Sequence, residues 1–149
     1  MFDECFSPNG AAVLKQFLDL WDPPVDTTYL VDFLNGVRGM ADEDWGRLLC
    51  DTDYVVVSRD RGRQRQQQAK GMPLNLVLPK LKVTGVFMSG GLATASCFEM
   101  VRAVVCVLPD IIKECPRATK GTRYKVRAES GVYRLEEWEF KKGEMSPYV

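Results

Sequence analysis

Apolar residues along this chain fall into blocks that alternate between strand-like and helical spacing. Met1 to Glu4 opens as a short strand. Ser7-Pro8-Asn9 then reads as a helix start, with Ser7 as N-cap and Pro8 at the first helical position. Val13, Leu14, Phe17, Leu18 and Trp21 follow at helical spacing until Pro23-Pro24 stops the helix. Thr27 to Phe33 (TTYLVDF) is rich in β-branched and aromatic residues and predicts a second strand. Asn35-Gly36 and Gly39 mark a loop. Asp42 precedes Trp45, Leu48 and Leu49, which predicts a short helix capped by that aspartate. Asp53 to Ser58 contains YVVV, the clearest buried strand in the chain.

RGRQRQQQAKG comes next, basic, polar and flanked by glycine, and predicts a mobile loop or a frayed helix. Val83 to Ser89 (VTGVFMS) predicts another strand, broken by Gly90-Gly91. Phe98, Val101, Val104, Val105 and Leu108 give Thr94 to Leu108 the spacing of a core helix, continuing through Pro109 to Cys115. Thr122 to Ala128 and Val132 to Trp138 alternate on either side of Glu129-Ser130-Gly131, a terminal β-hairpin. The expected architecture is α/β, a mostly parallel central sheet between helices with the hairpin at one edge. Residues 1–140 are expected to form one domain and residues 141–149 a disordered tail.

At 149 residues the chain is long enough for a real core, and its 46% apolar and 27% charged composition is that of a soluble globular protein. No apolar run is long enough to span a bilayer, and the acidic start MFDEC lacks a signal peptide's basic and apolar regions. The expected location is the cytoplasm. Five scattered cysteines without a CxxC pair, and no histidine, argue against a zinc site and for reduced, buried thiols. Net charge is zero but unevenly spread. Residues 1–60 carry 12 acidic and 4 basic residues, and residues 61–149 carry 8 acidic and 16 basic. An acidic cleft facing a basic surface fits that asymmetry; so do two solvated surfaces of opposite sign.

Acidic residues stand at three predicted element boundaries: Asp3-Glu4, Asp42-Glu43-Asp44 and Asp60. Sites in open α/β sheets lie beyond the carboxyl ends of strands. Carboxylates gathered there, without histidine, suit Mg²⁺ or Mn²⁺. Phosphodiester hydrolysis is the chemistry such a site most often serves. Asp3, Asp42 and Asp60 are the candidate catalytic and metal-binding residues, with Glu4 and Asp44 as rivals and Ser58 in support. Each acid also has a plain structural use, as a turn residue or as a favourable charge at a helix start. Arg59, Arg61, Arg63 and Arg65 adjoin Asp60 and suit phosphates near a scissile bond.

FDECFSP, MADEDWGRLL and YVVVSRDRGR together resemble the PIN-like proteins of the VapC-type toxin group. KVTGVFMSGGLATASCFEMVRAVVCVLPDII is similar to that family's next strand and long helix, and GTRYKVRAESGVYRL to its C-terminal hairpin. The resemblance covers most of the chain, from Phe2 to about Leu135. It implies a PIN-like three-layer α/β/α sandwich and a metal-dependent endoribonuclease. Such an enzyme is often the toxin of a toxin–antitoxin pair, with RNA as substrate, a protein antitoxin as partner and a homodimer as a frequent state. Asp3 then matches the first-strand acid, Asp42 the helix acid, and Ser58 and Asp60 the Ser/Thr-x-Asp motif. Only Met1 and Phe2 precede Asp3, and VFMSGG offers Ser89 but no carboxylate before Glu99, so the number of metals stays open. Two other readings remain: a PIN-like RNA- or protein-binding module without strong catalysis, and a phosphatase-like protein using Asp3 as nucleophile.

Overall fold

The computed structural model describes residues 1–59 and 72–140. It is an α/β fold with a four-stranded mixed sheet. The strands are β1 (Val55–Ser58), β2 (Thr84–Met88), β3 (Arg123–Glu129) and β4 (Val132–Glu137), adjacent in that order. β1, β2 and β3 run parallel, and β4 returns antiparallel. Glu129 faces Val132 in register, leaving Ser130 and Gly131 as a two-residue loop. Both have positive φ, at 50° and 79°, the combination that a tight hairpin turn of matching twist requires.

Two short segments extend the sheet beyond β1. Residues 1–3 lie beside β1: the amide of Val57 donates to the Met1 carbonyl at 2.8 Å and that of Asp3 to the Val57 carbonyl at 3.2 Å. Residues 28–30 pair on the other side, through Phe2 N–H to the Thr28 carbonyl and Leu30 N–H to the Phe2 carbonyl, at 3.0 and 2.7 Å. Both pairings are parallel. The first chain segment therefore lies between the second and the third. Chain direction along the sheet reverses its order at residues 1–3 and β1.

Helices α1 (Pro8–Asp19), α2 (Leu30–Phe33), α3 (Asp42–Leu49), α4 (Leu74–Lys80) and α5 (Cys97–Glu114) bury two separate apolar clusters. Strand alternation assigns them. Val57, Val86 and Met88 join α1 and α5, whereas Val56 and Phe87 join α3 and α4. Ser7 caps α1 as the sequence predicts, accepting from the Gly10 amide. Ser96 caps α5, two residues past the predicted start at Thr94. No helix among the described residues is long and apolar enough to cross a membrane.

Several expectations are corrected. The predicted strand over Thr27 to Phe33 pairs only around Tyr29 and becomes α2 at Leu30, because α2's first turn claims the Tyr29 carbonyl for Phe33 N–H. The N-cap of α3 is Ala41, and Asp42 is its first helical residue. α4 falls in the stretch before Val83 for which no element is predicted, since Pro73 and Pro79 hide its apolar repeat. Val13, Phe17 and Phe98 are exposed; α1 buries Ala11, Leu14 and Leu18 instead, and α5 buries Met100, Ala103, Val104, Val107 and Leu108. All five thiols are free, but only Cys115 is buried, where desolvation pushes it up to about 12. The predicted loop after Asp60 and the predicted tail lie outside the described residues.

Candidate functional site

Asp3 and Ser58 end the two neighbouring segments at which strand order reverses. That is where α/β sheets open a crevice for ligands, because the connections leave in opposite directions. Ser58 is fully buried, and its hydroxyl donates to Asp3 Oδ2 across a short 2.5 Å contact. Asp3 is 3% exposed. A carboxylate so enclosed needs donors or cations to offset lost hydration, and Ser58 supplies one donor while fixing the carboxylate's direction.

Asp42 reaches the same place from α3. Its Oδ1 accepts from Trp45 Nε1 at 3.3 Å, one helical turn away, and Trp45 is itself buried. Asp3, Glu4, Asp42, Trp45, Leu30 and Leu74 surround a cavity of about 10 Å³. That is room for roughly one water-sized guest. Two sequence candidates separated by most of α1, α2 and their loops thus meet at one small, partly apolar cavity.

Of the rivals, Glu4 lines that cavity, and its Oε2 accepts from the Gly39 amide at 3.2 Å. Asp44 is exposed and does not line it, whereas Asp42 does. Arg59, expected to grip RNA, places its Nε on the Ala93 carbonyl at 2.8 Å, tying the end of β1 to the loop after β2. Asp60, Arg61, Arg63 and Arg65 lie outside the described residues. Among the described residues, no group of three or more Asp, Glu, Cys or His side chains stands together as a metal site.

Tyr29 was not singled out by its sequence. Its hydroxyl reaches the carbonyls of Glu4 and Phe6 at 3.3 and 3.4 Å, bracing the turn that carries Glu4 and Cys5. Burial pushes its phenol above the usual range; Arg38 opposes that shift, and Asp3 and Glu4 add to it. It therefore stays a donor at neutral pH. A tyrosine in an edge segment carries no sequence signal of this role, since its partners are backbone atoms more than 20 residues away.

No protein-family profile, curated protein or solved structure matches this chain. What the site can do is therefore argued from its own chemistry. Its described donors are hard oxygen atoms without imidazole, which fits Mg²⁺ or Mn²⁺. Asp3 and Asp42 are two such donors at the cavity, and Asp60 lies outside the described residues.

Proposed function

We propose that this protein is a PIN-like, divalent-metal-dependent endoribonuclease with a three-layer α/β/α fold. The observation that carries the proposal is the meeting of Asp3, Ser58 and Asp42 at the sheet's reversal point. Asp3, Asp42 and Asp60 would hold Mg²⁺ or Mn²⁺. An ion held there would supply the chemistry of lowering a water's pKa and neutralising charge on the phosphate. Ser58 fixes Asp3, Trp45 fixes Asp42, and the apolar walls limit water around both carboxylates. Arg61, Arg63 and Arg65 bring cations for the substrate backbone next to Asp60. As the toxin of a toxin–antitoxin pair, the protein would act on cytoplasmic RNA and be restrained by a protein antitoxin, with a homodimer as its working form.

A second reading is a PIN-like RNA- or protein-binding module with weak or no catalysis. It is favoured by Glu4, whose carboxylate is engaged by the Gly39 amide. Incubating RNA with the protein, with and without Mn²⁺, separates the readings. Cleavage that needs metal and is lost in Asp3→Asn and Asp60→Asn supports the nuclease. RNA that is bound but left intact supports the binding module.

A further inference from the structure

β4 is the last strand of the sheet, and among the described residues nothing pairs with its outer side. Its register with β3 is unbroken, and no proline, lysine or bulge interrupts it. Those are the usual devices that keep a free edge from pairing with another chain. Trp138 N–H donates to the Arg123 carbonyl at 2.7 Å, which fixes the phase of the ladder. The backbone groups of even-numbered residues therefore turn toward β3, and those of Tyr133, Leu135 and Glu137 turn outward. α5 packs on one face of this edge, yet Leu135 stays half-buried there, whereas Val126 opposite it on β3 is fully buried.

The side chains along this edge complement a second copy of themselves. An antiparallel neighbour must set outward-turned residues against outward-turned residues, which leaves few registers. Centred on Leu135, the pairing places Arg134 opposite Glu136 of the second copy, and does so twice by symmetry. Both contacts fall at positions without backbone bonds, where opposed side chains come closest. The same register sets Val132, which is 51% exposed, against the half-buried Trp138 of the other copy, and Leu135 against Leu135. Sliding one copy by two residues either way opposes Arg134 to Arg134 or Glu136 to Glu136, and such like charges destabilise a pair. Within one copy Arg134 stands opposite Arg127 and has no acidic partner among the described residues. Glu136 lies 3.4 Å from Arg127 and 3.6 Å from Lys125. A single copy thus leaves at its open edge a cation that Glu136 of a second copy would meet.

We infer that two copies of this chain join edge to edge through β4, antiparallel about Leu135, into one continuous sheet. This edge is the interface of the homodimer proposed above, and it rests on that part of the reading and not on nuclease chemistry. The two-fold axis stands perpendicular to the sheet, so the two Asp3 sites open at opposite ends and neither lends residues to the other. Sedimentation velocity of the full-length protein over a concentration series reads the equilibrium, and wild type is expected to pass from monomer to dimer. Arg134→Glu and Glu136→Arg should each weaken dimerisation about a hundredfold, through two new like-charge contacts. Mixing the two variants should restore a dimer holding one copy of each, since every charged contact across the edge then joins opposite signs. Leu135→Pro removes an outward N–H that a single copy does not use, and should stay monomeric. Urea midpoints, expected near wild type, separate lost pairing from lost fold. Variants that dimerise like wild type, or a mixture that stays monomeric, overturn the β4 edge and leave a homodimer through another face. Wild type that stays monomeric at every concentration overturns the edge and the homodimer together, and Mn²⁺-dependent RNA cleavage by that monomer leaves the nuclease standing.

Discussion

Two charged side chains are buried among the described residues, at opposite ends of the parallel strands, and they are buried in different ways. Arg123 begins β3 and is 1% exposed. Its Nε and Nη2 donate to the carbonyls of Trp138 and Glu139 at 2.8 and 2.9 Å, and Nη1 approaches that of Asn75 at 3.5 Å. The rings of Trp138 and Phe140 lie 4.4 and 3.9 Å from its guanidinium carbon. Pro79 contributes by omission: lacking an N–H, it leaves the Asn75 carbonyl without the usual helical donor. Carbonyls and aromatic faces thus enclose the cation and fasten residues 138–140 to the body of the fold. Asp3, at the carboxyl end, is held by a hydroxyl and borders a cavity shared with a second carboxylate. Equal burial serves a clamp at one end and a site at the other. What distinguishes them is whether the neighbours close around the charge or leave room beside it.

The largest expected effect that would break this contrast is on chemistry. Asp3→Asn should keep its stability within about 1 kcal/mol while losing metal-dependent RNA cleavage by a hundredfold or more, roughly. Parallel activity assays and urea unfolding check both halves, and an unfolded Asp3→Asn would make Asp3 structural. Arg123→Ala should do the reverse, costing about 3 kcal/mol or more through lost charged hydrogen bonds and ring contacts. Its residual activity per folded molecule, measured at low temperature, should stay near wild type. Ser58→Ala sharpens the comparison from the side of Asp3. It should weaken Mn²⁺ affinity by about tenfold to a hundredfold, as loss of an orienting partner does, measurable by calorimetry.

A third buried ionisable group tests the fold through pH rather than through substitution. Burial pushes the α-amino group of Met1 down to about 5 from its ordinary 8.0, with Asp26 partly opposing the shift, and the group donates to the Val55 carbonyl. Between those values the unfolded chain holds a proton that the folded chain refuses. Stability should therefore rise with pH from about 5 to 8, by up to roughly 1.4 kcal/mol per pH unit from this group. Urea midpoints across that range test it; a flat or falling profile would contradict the burial.

Much of this architecture is legible in the sequence, because the strands at Val55–Ser58 and Thr84–Met88 and the terminal hairpin carry strong local patterns. α4 escapes because Pro73 precedes and Pro79 interrupts LNLVLPK, and the phase of α5 because Phe98 is apolar yet 76% exposed. Residues 1–3 read as a strand despite their shortness, and pairing on both sides compensates for that length. Asp42 and Asp44 look equivalent in MADEDW. They differ only once α3 forms, turning Asp42 toward Trp45 and the cavity and Asp44 toward solvent. Which acids meet is a property of the reversal in sheet order, and no local motif encodes it.

The most direct test is a Mn²⁺ titration of the wild-type protein beside Asp3→Asn and Asp44→Asn, followed by calorimetry and by the rise in unfolding temperature. Wild type and Asp44→Asn should bind and be stabilised alike, since an ion held only by the folded chain raises its stability. Asp3→Asn should do neither. Equal Mn²⁺ binding by Asp3→Asn would contradict the assignment of a metal site to the reversal point.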